Sequence, residues 1–165
     1  MKRYIKADII DLMEEDSLGV INPIAANPNT RLSTLQKIFE SGNIYGLQGL
    51  ALNPNIPIEM ARSLAESNQY SVKYALASNH NLPDEILHIL ANDPIASIRD
   101  QVARNPNIST DLMRNLAHDE AAGVRYALVW NPNITKDALK ILTMDADFEI
   151  SMRAKQFLED AENGE

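Results

Sequence analysis

An Asn-Pro-Asn phrase recurs at Asn27, Asn53, Asn105 and Asn131, and Asn79-His80-Asn81 fills the missing place, so the interval is 26 residues every time. A fixed period constrains the fold tightly. Each copy has to be one supersecondary unit that buries its apolar face against its neighbours. With the first Asn as position 1, position 12 reads Ile38, Leu64, Leu90, Leu116 and Leu142. Position 24 reads Leu50, Leu76, Val102, Leu128 and Ala154, and position 20 reads Gly46, Val72, Ile98, Val124 and Ile150. Run backwards, the frame places Leu12, Val20 and Ile24 in the same three columns. The expected organisation is therefore a single all-α solenoid domain over 1–165. A degenerate N-terminal capping repeat covers 1–26, five regular repeats cover 27–156, and an acidic, frayed tail covers 157–165.

Each repeat reads as a helix-turn-helix unit. The first helix covers about positions 5 to 14, with an apolar stripe at helical spacing. Its start is marked by Ser109 and Thr135 as N-caps, by Pro57 and Pro83, and by Glu59, Glu85, Asp111 and Asp137 in the first turn. Ile56, Leu82, Ile108 and Ile134 precede the cap as hydrophobic staples. The second helix covers about positions 18 to 26 and stops before proline, which cannot continue the hydrogen-bond ladder. The Asn side chains then close the turn locally. Position 25 is Ala25, Ala51, Ala77, Ala103 and Val129, and becomes Lys155 in the last copy, where no further repeat need cover it. Lys2, Arg3, Lys6, Asp11, Glu14 and Glu15 give the first repeat the polar character of a cap.

The phrase Val124-Arg125-Tyr126-Ala127-Leu128-Val129-Trp130-Asn131-Pro132-Asn133-Ile134 and its copies resemble the leucine-rich repeat variant family, a distant relative of HEAT repeats. The resemblance covers 27–156 well and 1–26 weakly. It implies a right-handed superhelix of short helical units without strands, in which one helix per unit can be partly 3₁₀. A known member carries an iron–sulfur domain ahead of its repeats. With no cysteine in this chain, that cofactor cannot be carried over. The family has no shared activity to transfer.

The lack of cysteine also excludes disulfides, thiolate metal sites and a thiol nucleophile. No apolar run approaches the roughly 18 residues of a membrane span, and the basic start meets acids too soon for a signal peptide. A cytoplasmic protein is the expectation. His80, His88 and His118 lack the spacing of a helical metal site, so neither metal nor cofactor is expected. The adjacent acids at Glu14-Glu15-Asp16, Asp84-Glu85 and Asp119-Glu120 fall in turns or first helical turns, where carboxylates stay solvated. Gly42, Gly46 and Gly49 make no nucleotide-binding phrase and read as loosening the second helix of their repeat. No catalytic residues emerge, and the chain reads as a non-enzyme.

Two sets of residues invite a functional reading. Asp93 and Arg99, and Asp119 and Arg125, are six residues apart, with Ser67 and Lys73 in the same columns. They read as a structural Asp/Arg ladder, or else as a basic stripe for a phosphate or acidic peptide. The second set comes from helical geometry. At about 100° per residue, positions 20 and 24 share the core face and positions 22 and 26 point outward. The outward stripe holds Gln48, Leu52, Tyr74, Ser78, Asp100, Arg104, Tyr126, Trp130, Met152 and Gln156. Aromatic residues with arginine are the composition of interface hot spots. Burial between neighbouring second helices would explain the same residues without any partner. As a functional site the stripe predicts a protein partner on a concave face, with Tyr74, Arg104, Tyr126 and Trp130 central and Leu52 and Asp100 beside them. The alternative is nucleic-acid recognition, including DNA glycosylases built of HEAT-like repeats, with Trp130 and Asp100 at the base. A net charge of −8 disfavours that partner.

Overall fold

In each repeat a proline-bounded apolar segment is too short to be stable as an isolated helix, so every helix must pack on a neighbour. The computed structural model describes residues 18–163 and contains eleven α-helices among them, with no strand and no 3₁₀ segment. Lys2, Arg3, Lys6, Asp11, Leu12, Glu14 and Glu15 lie outside the described residues. The chain divides into two compact units, Met1–Asn81 and Leu82–Glu165.

The N-terminal unit contains α1 (Leu18–Ala26), α2 (Leu32–Ser41), α3 (Ile44–Leu52), α4 (Ile58–Ala65) and α5 (Tyr70–Ala77). The second helices α1, α3 and α5 pack on one another in sequence, and each first helix packs on the second helix of its own repeat. Positions 12, 20 and 24 form the core: Ile38, Leu50, Leu64, Val72 and Leu76 are buried. Gly46 and Gly49 do not loosen α3. Gly46 is where Ile38 of α2 comes closest, and Gly49 is where α1 does. A Cβ at Gly46 would stand 2.6 Å from Ile38 Cγ2, and one at Gly49 would meet the Asn22 carbonyl oxygen and stand 2.8 Å from Ala25 Cβ. This approach also turns α1. Ile21 and Ala25 enter the core, whereas Val20, expected there, is 44% exposed. Gly42 closes α2 in the left-handed conformation, with φ 66°.

The C-terminal unit contains α6 (Asp84–Ala91), α7 (Ala96–Arg104), α8 (Thr110–Leu116), α9 (Ala122–Val129), α10 (Lys136–Leu142) and α11 (Phe148–Asn163). First helices α6, α8 and α10 pack in order, as do second helices α7, α9 and α11. Leu90, Ile98, Val102, Leu116, Val124, Leu128, Leu142, Ile150 and Ala154 are buried between the two rows. Ser109 and Thr135 cap as expected, their hydroxyls accepting from Leu112 N and Ala138 N. The end of the chain departs from expectation. Residues 157–163 continue α11 rather than fray. No Asn-Pro phrase stands at Phe157-Leu158 to stop the helix, and Phe157 finds an aromatic partner in Trp130, the C-cap of α9.

The Asn columns do more than close their own turns. The Asn53 side chain is fully buried; its Oδ1 accepts from Asn55 N at 2.8 Å. Its Nδ2 donates to Ala25 O at 2.7 Å and Asn27 O at 2.9 Å, one repeat earlier. Asn79 repeats the pattern onto Ala51 O and Asn53 O, and Asn131 repeats it onto Ala103 O and Asn105 O. A helix leaves its last carbonyls unpaired, and proline prevents the chain from satisfying them by running on. The Asn of the next repeat supplies the missing donor. Position 3 adds a second rung: Asn55 Nδ2 donates to Pro28 O, and Asn133 Nδ2 to Pro106 O.

Candidate functional site

The Asp/Arg columns were expected to form a structural ladder. In the C-terminal unit they pair across repeats. Arg99 lays Nε and Nη2 on the two carboxylate oxygens of Asp119, at 2.7 and 2.9 Å, 20 residues on. Its Nη1 donates back to Asp93 O at 2.9 Å. Arg125 does the same, bidentate to Asp145 at 2.6 and 3.0 Å and donating to Asp119 O at 2.7 Å. Each acid also closes its own turn, with Asp93 Oδ1 accepting from Ile95 N and Asp119 Oδ1 from Ala121 N. In the N-terminal unit the acid's place is taken by Ser41 and Ser67, whose hydroxyls donate to Ile38 O and Leu64 O.

The electrostatics follow from this geometry. Burial pushes the Asp119 carboxyl upward. The Arg99 hydrogen bonds, the Ala121 amide and the charges of Arg99 and Arg125 outweigh it, so Asp119 titrates below the usual carboxylate range. The Arg125 fork, followed by the opposing effect of burial, holds Asp145 low as well. Carboxylates kept ionised in this way cannot act as proton donors near neutral pH. All three nitrogens of each guanidinium are hydrogen-bonded, to a carboxylate on one edge and to backbone carbonyls on the other. A groove of about 380 Å³ runs beside the ladder, lined by Asn92, Asp93, Arg99, Asn115, Asp119 and Glu120, among others. Among the described residues, no group of three or more His, Asp or Glu converges to hold a metal ion.

The outward stripe falls into two sets, one in each unit. On the N-terminal unit Leu52 and Tyr74 are exposed, and Tyr70 lies against Tyr74 with ring centroids 5.8 Å apart. On the C-terminal unit Asp100 and Arg104 form an i,i+4 ion pair along α7, at 2.9 and 3.1 Å. Tyr126 of α9 is half-buried and Trp130, the C-cap of that helix, is 44% exposed, with ring centroids 6.4 Å apart in an edge-on arrangement. Trp130 meets Phe157 of α11 edge-on at 5.4 Å, and the Arg153 guanidinium lies over the indole, 4.6 Å from its centroid. The Tyr126 hydroxyl donates to Glu149 Oε1 at 3.3 Å. Neighbouring second helices thus cover part of Tyr126 and Trp130 and leave part open.

No family model, curated protein or solved structure matches this chain. The surface has to be read from its chemistry alone. Leu52, Tyr74, Arg104 and Trp130 reach solvent, and Asp100 and Tyr126 are partly covered. Arg153, Phe157 and Glu149 escaped the sequence reading. A signal for Phe157 was available: the next repeat would have opened with Asn at that position, and an aromatic residue there announces a different ending. Nothing in the repeat pattern marks Arg153, whose place over Trp130 depends on how α11 sits against α9.

Proposed function

We propose that this chain is a non-enzymatic protein-binding module of the cytoplasm, a small scaffold or adaptor of the leucine-rich repeat variant type. In this reading six 26-residue repeats form a right-handed superhelical solenoid with the second helices on the concave face. The unbroken sequence register supports that arrangement, as do the cross-repeat Asn bonds within each unit. The observation that carries the function is Trp130 with Tyr126. A simple solvent face would be charged, yet here the only tryptophan of the chain stands 44% exposed beside a tyrosine and under a guanidinium. A rigid, half-open aromatic pair loses little side-chain entropy on binding. Arg104 adds a charged group in the same column, and Leu52 and Tyr74 hold equivalent positions in the N-terminal unit.

Against nucleic acid stand the net charge of −8 and the engagement of Asp100 by Arg104, which takes the carboxylate that a base-excising site would use. The test is affinity capture from the native host, comparing the full chain with Trp130→Ala and Tyr126→Ala. Both variants should keep their far-ultraviolet dichroism and lose the captured partner by about tenfold or more. Capture that is unchanged in both variants would remove this surface from the function.

A further inference from the structure

Arg153 is a guanidinium held against two aromatic rings without a carboxylate partner among the described residues. Arg99, Arg104, Arg114 and Arg125 each hold an Asp within ion-pair distance. Arg153 makes no ion pair among the described residues. Its Nη1 donates to the neutral Gln156 Oε1 at 3.0 Å, and its Nε is buried with no hydrogen-bond partner. The group is nevertheless held firmly, with its carbon 4.6 Å from the Trp130 centroid and 5.9 Å from that of Phe157. The nearby acid on the same helix, Glu149, accepts from the Tyr126 hydroxyl instead. Stacking leaves the in-plane N–H groups of a guanidinium to an acceptor, and here Nη2 makes no hydrogen bond among the described residues, whereas Nε is closed off by burial.

We propose that Arg153 is the anchor for a carboxylate of the protein partner: an Asp or Glu side chain within a peptide segment, flanked by apolar residues. This rests on reading the Trp130 stripe as a protein-binding surface, and it names the partner's chemistry. An acid within a peptide segment fits because the guanidinium lies against aromatic surface, Trp130 and Phe157, on which a neighbouring apolar residue of the same segment can rest. Net charge does not oppose the contact at short range. Screening over about 8 Å leaves the adjacent guanidinium dominant over distant carboxylates.

The test is selection of peptides from a display library, fused at their C-termini so that no free carboxylate is offered, on the full-length protein. Binders should carry an Asp or Glu next to an aromatic or aliphatic residue. A synthetic binder with that acid changed to its amide should bind about tenfold more weakly. Arg153→Gln should lose as much, and against this variant the acid and amide peptides should bind alike, as a coupled pair requires. Peptides that need Trp130 but are indifferent to Arg153, or that lack an acid, would overturn this inference and leave the protein-binding reading standing. Peptides indifferent to both Trp130 and Tyr126, or a library yielding no binder, would count against both.

Discussion

Asn131 shows how much one amide can do at a repeat boundary. Its oxygen accepts from Asn133 N at 2.9 Å, and its nitrogen donates to Ala103 O and Asn105 O at 2.7 and 2.8 Å, almost wholly out of water. Only a side chain with an acceptor on one side and two donors on the other satisfies all three groups. Asn131→Asp keeps the shape and reverses the nitrogen's role, setting a buried anion against two carbonyl oxygens. It should cost about 3 kcal/mol in denaturant unfolding near neutral pH, more than Asn131→Ala, which leaves the carbonyls unpaired without adding charge. The Asp variant should recover in part on acidification, since the neutral acid can donate to one carbonyl. An Asp variant as stable as the parent would mean that the cross-repeat bonds contribute nothing net. The need for an amide was legible in the sequence as a column of Asn. Its direction across repeats was not, because a local turn and a neighbour's helix end ask for the same residue.

At the scale of the helix, the glycines of α3 and α9 predict opposite signs for one substitution. A Cβ at Gly49 would meet the Asn22 carbonyl oxygen and stand 2.8 Å from Ala25 Cβ, so α1 and α3 would have to separate. Gly49→Ala should destabilise by about 1–3 kcal/mol, the usual cost of overpacking. Gly123, near the start of α9, would place a Cβ with nothing within 4 Å. Gly123→Ala should stabilise by up to about 1 kcal/mol through helix propensity. Thermal unfolding of the two variants reads both, and a stabilised Gly49→Ala would show that the close approach is not required. The same helices mark how far the sequence could be read. The columns at positions 12, 20 and 24 placed the core of ten helices correctly and missed on α1, where Val20 is exposed and Ile24 half-buried. Periodicity defines which face of a helix is apolar, but the glycine-lined contact with α3 decides the roll of α1. Tyr126 and Trp130 were placed on the outer face by angle alone, whereas the cover of Trp130 by Phe157 needed the continuation of α11 past its expected end.

Across the whole molecule the two units are built on the same Asn bonds but differ in the turns between first and second helices. The C-terminal unit ties these turns with Arg99–Asp119 and Arg125–Asp145; the N-terminal unit uses the hydroxyls of Ser41 and Ser67, which do not titrate. Asp119 and Asp145 both have folded-state pKa values below their ordinary value. A depressed carboxylate contributes stability that is complete above its unfolded pKa of about 3.9 and is lost as pH falls through its folded value. The loss should therefore begin only below about pH 4 and deepen toward pH 2, with nothing to lose between pH 5 and 8 from these groups. Once Asp119 and Asp145 are neutral, Arg99 remains charged and buried and Arg125 charged and half-buried, each without its bidentate carboxylate, a costlier state than solvation. Hydrogen exchange resolved along the chain should show amides of α7 to α11 losing protection in that window ahead of those in α3 to α5. Adding Asp119→Asn, which cannot titrate, should reduce the acid sensitivity of the C-terminal unit while lowering its stability at pH 7. Simultaneous loss in both units, or earlier loss in the N-terminal one, would assign acid sensitivity to groups other than the ladder. The ladder would then be a geometric feature with no measurable share in the stability of its unit.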